Sequence, residues 1–329
     1  MKLVEFGSSG LQVSAMGLGL AALGRPGYIN LGHGDDLQHN YALRAMQDHT
    51  ATMLSQAYAL GIRYFDAARS YGKAETFLAN WLSNQNHPDI ICGSKWGYTY
   101  TADWSIDAEA HEVKQHSIDV LKRQWDESQD TLGEQLQIYH IHSATLESGV
   151  LDNKDVIKRL WELKEAGTII GLSLSGAGQE NTLEKALSIQ SSKTYLFGSV
   201  QVTWNILEQS MNDVLQRTFD AGIGVIVKES LANGRLTLRN KETGFNATKI
   251  LLADMAKAYD VSMDALAIAY VLQQPWSSIV LSGAASLEHL VSNCHAHTIE
   301  IDTSDLHRLS TVSEAPEKYW QTRAYLKWN

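Results

Sequence analysis

The sequence predicts an α/β fold of the (β/α)8 TIM barrel type, on three observations. Eight short apolar runs with strand character recur along almost the whole chain, segments with helical apolar spacing lie between them, and several of those segments stop at a glycine. Alternating strands and helices force parallel pairing through crossover connections, and eight such units in 329 residues suit a closed barrel.

In chain order, Leu3–Phe6 and Leu11–Val13, joined by Gly7-Ser8-Ser9-Gly10, read as a β-hairpin that closes the barrel bottom. The barrel strands follow at Ala15–Leu20, Ile62–Ala67, Ile90–Gly93, Leu136–Ile141, Ile169–Leu174, Val200–Thr203, Gly224–Val227 and Ile279–Leu281. Helical spacing marks Ala51–Leu60, Val113–Leu121, Val156–Leu163, Thr182–Ile189, Val214–Phe219 and Leu251–Tyr259, with Gly61, Gly167 and Gly222 as C-terminal stops. An open doubly wound sheet competes through Gly17-x-Gly19-x-x-Ala22, with Asp35 and Asp36 downstream. A dinucleotide fingerprint must open a helix, however, and Gly24, Pro26 and Gly27 break any helix there. No linker or composition shift divides the chain, so a single domain over 1–329 is expected. The long connections Ala21–Thr50, Tyr98–Glu109 and Glu314–Asn329 are the expected specificity loops.

Composition narrows the function. Hydrophobic residues make up 44% and charged residues 19% of the chain, and no run approaches the ~18 apolar residues of a membrane span. A net charge of -10, from 27 basic and 37 acidic residues, argues against nucleic acid or an anionic membrane as partner. Cys92 and Cys294 have no zinc or redox spacing, and the N-terminus lacks a secretory pattern, so a cytoplasmic protein is expected. The cluster Cys294-His295-x-His297 lacks a fourth ligand at useful spacing and reads as a surface loop, so no metal is expected. His140 shares a strand face with His142, and two histidines alone do not make a metal site.

Function in a barrel sits at the C-terminal ends of its strands. Asp66 ends the run Ile62–Phe65, Tyr71 follows it by five residues, Lys95 follows Ile90–Ser94, and His142 ends Ile138–Ile141. Taken singly, each has a structural reading. Together they form a proton-delivery unit: a cation beside a phenol favours phenolate, a carboxylate holds the cation, and a histidine orients a carbonyl oxygen. That unit suits reduction of an aldehyde or ketone by a nicotinamide.

At this point the sequence resembles the aldo-keto reductase family over nearly its whole length. The resemblance lies in Gly61-Ile62-Arg63-Tyr64-Phe65-Asp66-Ala67-Ala68 with Tyr71-Gly72 and Glu75, in Ser94-Lys95, and in Ile141-His142. It implies an NAD(P)-dependent oxidoreductase acting on an aldehyde, ketone or sugar carbonyl, with Tyr71 as general acid/base, Asp66 and Lys95 as its tuning pair, and His142 orienting the substrate. It also implies a dinucleotide across the barrel mouth. Ser173 and Gln201 would meet the carboxamide, Trp204 would stack on the nicotinamide, and Glu229, Ser230, Leu231, Asn233, Gly234 and Arg235 would cover the pyrophosphate. Gly283, Ala285, His289 and Asn293 would hold the adenosine. Trp96 and Tyr98, beside Lys95, are expected to line the substrate pocket.

Three departures bear on the cofactor. Leu174 replaces an asparagine common after the serine, Gly283 and His289 stand where NADP-preferring relatives often carry Lys and Arg, and Ala258–His307 contains neither residue. Arg235 or Arg239 could supply the 2′-phosphate contact, and family habit favours NADP(H) slightly over NAD(H). Two other readings compete. One is a Schiff-base aldolase using Lys95 or Lys228, and the other is a cofactor-sensing relative with little turnover.

Overall fold

The computed structural model describes residues 1–84 and 87–329. Its centre is a closed barrel of eight parallel strands: β1 (Met16–Gly19), β2 (Tyr64–Asp66), β3 (Ile91–Trp96), β4 (Leu136–Ala144), β5 (Ile169–Leu174), β6 (Ser199–Thr203), β7 (Gly224–Lys228) and β8 (Ile279–Ser282). Each strand pairs in parallel with its neighbour in sequence, and β8 closes on β1 through Val280–Met16 and Ser282–Leu18. All eight expected runs are strands. The barrel also disposes of the glycine fingerprint, because β1 runs into an irregular loop and no helix begins before residue 33.

Helices between the strands cover the barrel, among them α1 (Leu43–Ala59), α2 (Ala74–Ser83), α3 (Ile118–Leu132), α4 (Lys154–Glu165), α5 (Gln179–Leu187), α6 (Asn212–Asp220), α7 (Asn246–Ala258), α8 (Met263–Leu272) and α9 (Leu287–His295). The stops at Gly61 and Gly167 are left-handed, with φ of +95° and +103°. One expected helix fails at its start. Glu112–Lys114 is a strand that pairs antiparallel with Tyr98–Tyr100, and α3 begins at Ile118 behind the Ser117 cap, so the apolar Val113 belongs to a hairpin above the barrel mouth.

The N-terminal hairpin, Leu3–Glu5 against Gln12–Ser14, seals the bottom. Its Phe6 joins Val13, Tyr64, Ile91, Ile138, Ile226, Ile279 and Leu281 in an apolar plug, and Ser8 N–H donates to the Gly222 carbonyl at 2.7 Å. Residues two apart on a strand share a face, so the strand positions above this plug also point inward, toward the mouth. There the interior turns polar, with Asp66 above Tyr64, Lys95 above Gly93 and Lys228 above Ile226. Large side chains fit because small residues face them. A Cβ on Gly93 would collide with the Tyr64 hydroxyl, and one on Gly171 with the His140 ring. His140 is accordingly a core residue, bonded through Nε2 to Ser199 Oγ at 2.9 Å, and burial lowers its pKa to about 3. Among the described residues no helix is long and apolar enough to cross a membrane.

Candidate active site

Asp66 closes β2 with its carboxylate inside the barrel, where three donors satisfy it. Lys95 Nζ pairs with Oδ2, while Gln201 Nε2 at 2.9 Å and Tyr64 Oη at 3.2 Å both donate to Oδ1. Lys95 and Asp66 are 0% and 2% exposed, so neither charge would be tolerated there without the other. Lys95 Nζ also donates to the Ala67 carbonyl at 3.0 Å and to Tyr71 Oη at 3.2 Å. Tyr71 reaches that position because the chain leaving β2 turns at once: Tyr71 N–H donates to the Ala68 carbonyl, and α2 begins three residues later. Glu75 on α2 braces this turn from behind, paired with Arg69 and accepting Ser94 Oγ and Ser128 Oγ. The His142 ring lies edge-on to Tyr71 at 5.4 Å, with Nδ1 3.4 Å from Ser70 Oγ. The four residues singled out from the sequence therefore stand together at one mouth.

Their electrostatics differ from expectation in one respect. Burial, reinforced by Asp66 and opposed by Arg25, pushes the Tyr71 phenol well above its usual pKa, where a lowered value was expected. Burial also lowers Lys95, against the pull of Asp66, and drives His142 far below its usual value, helped by Lys95, Arg25 and Lys228. At neutral pH the phenol is protonated and the imidazole uncharged.

A cavity of about 260 Å³ opens over these groups, bounded by Tyr71, His142, Tyr98, Gln201, Lys228 and Trp328 among others. It meets a groove of about 400 Å³ through shared walls at Tyr28, Glu229, Leu281 and Gly283. Ser230, Leu231, Asn233, Gly234, His289 and Asn293 line the groove, beside the N-termini of α8 and α9 capped by Ser262 and Ser286. The β1 and β7 loops bridge over it: Leu31 N–H donates to the Asn233 carbonyl at 3.1 Å, and Asn233 Nδ2 to the Ile29 carbonyl at 2.9 Å. Glu229 joins groove to cavity, its pKa drawn down to about 2 by Arg323 and Lys228 despite burial.

Other expected residues lie elsewhere. Trp204 is fully buried against Tyr270 and Trp276, with Nε1 donating to Asn212, and is a core tryptophan. Trp96 is likewise fully buried, packed on His116; the pocket side of that segment is Tyr98. The Ser173 hydroxyl accepts the Ser143 N–H at 2.8 Å and does not line the cavity. Ala285 bonds His49 through its carbonyl and yields the groove wall to Ala284. Neither arginine offered for a 2′-phosphate is free. Arg235 is buried in a two-point pair with Glu314, off the groove, and Arg239 is in the groove with both Nη atoms on Asp36. His289 Nδ1 stands 3.5 Å from the same carboxylate, whose pKa these partners bring to about 2.

Sequence reasoning missed Asp36, Arg25, Tyr28, Arg323 and Trp328 as walls of the two cavities. The only signal was their place in the long connections, since nothing local marks which loop residue turns inward.

Comparison with known proteins agrees with this geometry. The family model described as Aldo/keto reductase family matches residues 15–314. The chain is 23% identical to a protein named NADH-specific methylglyoxal reductase in Escherichia coli, over 97% of this chain and 100% of that one. It is 26% identical to one named L-galactose dehydrogenase in Arabidopsis thaliana, over 91% and 88%. An aldo-keto reductase structure from Bacillus halodurans superposes with a TM-score of 0.73 at 20% identity, covering 96% of this chain and 97% of that one. With the family model spanning the whole barrel, the chain belongs to the aldo/keto reductase family of NAD(P)H-dependent oxidoreductases acting on carbonyl compounds.

Proposed function

We propose that this protein reduces a small aldehyde or ketone, or oxidises the matching alcohol, with Tyr71 transferring the proton. The observation that carries the reading is the chain of contacts from Asp66 through Lys95 to Tyr71 Oη, ending at a cavity continuous with a long groove. The groove residues suit a dinucleotide: two helix N-termini border it, and the buried Asn233 Oδ1 has no partner among the described residues. Bound there, a nicotinamide would supply the hydride.

The protein's own part is proton control. The raised pKa of Tyr71 keeps its proton until the substrate oxygen gains charge, and Lys95 Nζ then stabilises the phenolate through the bond it already makes. His142, uncharged, donates to the same oxygen and fixes its direction. The carboxylates around Arg239 and Arg235 support NADH over NADPH, against the family habit, because among the described residues no guanidinium in the groove is left for a 2′-phosphate. The name of the Escherichia coli relative is in keeping with that choice.

The test is Tyr71→Phe. Reduction of methylglyoxal and other short aldehydes should fall by at least ~100-fold while NADH binding, followed by tryptophan quenching, stays within a few-fold. Activity within about tenfold of the parent would remove Tyr71 from the role. Covalent trapping of a carbonyl on Lys95 by borohydride would replace the reading with an aldolase.

A further inference from the structure

The mouth cavity holds an arginine that the proton-transfer chemistry does not use. Arg25, 3% exposed, lies in the loop after β1 and lines the cavity beside Tyr71. Its Nη1 makes both of the guanidinium's hydrogen bonds, to the Ser70 carbonyl at 2.9 Å and to Glu112 Oε2 at 2.8 Å. Its Nε is buried and Nη2 makes no hydrogen bond among the described residues, which leaves Nη2 as the donor open to the cavity. Aromatic rings flank the guanidinium, with Cζ 4.7 Å from the Trp328 ring centre and 5.3 Å from that of Tyr71. A guanidinium donor without an acceptor costs free energy until one arrives, and a carboxylate supplies a charge-assisted one.

The charges around the cavity favour an anion as well. Its three carboxylates each have a cation: Asp66 has Lys95, Glu112 has Arg25 and Glu229 has Arg323. Lys228 is left over. Its Nζ donates to Thr203 Oγ1 at 2.6 Å and, among the described residues, has no carboxylate within ion-pair distance. In a chain of net charge -10, this mouth carries a local positive excess.

We propose that the physiological substrate is a short carbonyl compound bearing a carboxylate, an oxo acid or semialdehyde acid, and that the unbonded Nη2 of Arg25 binds that carboxylate. The assignment rests on Tyr71 as proton donor, since the closeness of Arg25 to the Tyr71 ring then places the anion within a few bonds of the reacting carbonyl. Tyr98 and Trp328 bound the space, and a volume of about 260 Å³ admits only a small molecule.

The experiment compares each acid with its own methyl ester: glyoxylate with methyl glyoxylate, and succinate semialdehyde with its methyl ester, using the full chain and NADH. Parent protein should favour the acid in kcat/KM by about 10- to 100-fold, mostly through KM. Arg25→Leu, paired with Glu112→Gln so that no carboxylate is stranded, should bring acid and ester to within about threefold. Arg25→Lys, which keeps the charge and loses the guanidinium, should fall between. Oxamate should quench tryptophan fluorescence of the NADH-loaded parent and not of the double variant, a readout independent of turnover. Equal turnover of acid and ester by the parent, or an acid preference that survives in the double variant, would overturn the assignment while leaving carbonyl reduction intact. No turnover of either pair, or of neutral aldehydes, by protein that still binds NADH would instead strike at the reading on which it rests.

Discussion

Replacing Asp36 with alanine is the change that bears most directly on cofactor choice. Both oxygens of this carboxylate accept from Arg239, and His289 adds a third contact from the start of α9. The side chain is 5% exposed, yet its pKa falls from 3.8 to about 2, so its partners outweigh burial. That shift corresponds to roughly 2 kcal/mol of folding stability. Because the folded pKa lies below the unfolded one, the contribution is present above about pH 4 and is lost as pH falls toward 2. Asp36→Ala should therefore be less stable by about 1–2 kcal/mol at neutral pH and should lose that part of the acid limb. Arg239 would remain in the groove, held by the Leu31 and Gly32 carbonyls at 3.1 and 3.2 Å, and would now be free for an anion. A charge-assisted bond to phosphate is worth about 1.5–3 kcal/mol, so the NADPH to NADH affinity ratio should rise about 10- to 100-fold. Equilibrium titration of tryptophan fluorescence with each dinucleotide at fixed salt reads the ratio, and thermal unfolding from pH 3 to 8 reads the stability. The double variant Asp36→Ala with Arg239→Ala should lose the gain. A parent that binds NADPH more tightly than NADH, or a ratio unmoved by Asp36→Ala, would show that the 2′-position lies elsewhere.

Further outcomes follow from the same contacts. Arg235→Ala breaks a buried pair with Glu314 and should cost about 3–5 kcal/mol in chemical denaturation, with no change in the NADPH to NADH ratio; a changed ratio would put Arg235 in the groove. Trp204→Ala should behave as a core truncation, losing about 3–5 kcal/mol, while the NADH affinity of the folded fraction stays within a few-fold; selective loss of binding would restore its stacking role. Lys95→Met strands the Asp66 carboxylate and removes the donor to Tyr71, so turnover should fall by at least ~100-fold with a displaced pH profile; a normal profile would exclude Lys95 from proton control.

What the sequence determined by itself was whatever is encoded locally. A strand alternates its faces with period two, so the apolar runs marked all eight barrel strands, and the polar residues ending β2, β3 and β4 were readable as candidates for one mouth. Glycine stops and the hairpin turn are likewise local. What only the tertiary structure decided was pairing across the closed ring. Asp36 and Arg239 meet from positions 203 residues apart, Arg235 and Glu314 from 79, and the guanidinium that seemed available for a phosphate in each case is neutralised by a partner no local pattern announces. The aromatics show the same limit. Trp96 precedes the hairpin above the mouth and is itself buried, Trp204 follows β6 into a cluster with Tyr270 and Trp276, and Trp328 returns from the other end of the chain to flank Arg25 at the mouth. An aromatic ring is apolar enough for a core and flat enough for a pocket wall, so its residue type cannot distinguish the two. The raised pKa of Tyr71 belongs here too, since it depends on how completely the folded barrel excludes water and on the Asp66 carboxylate standing near the phenol, and neither exists before the ring closes.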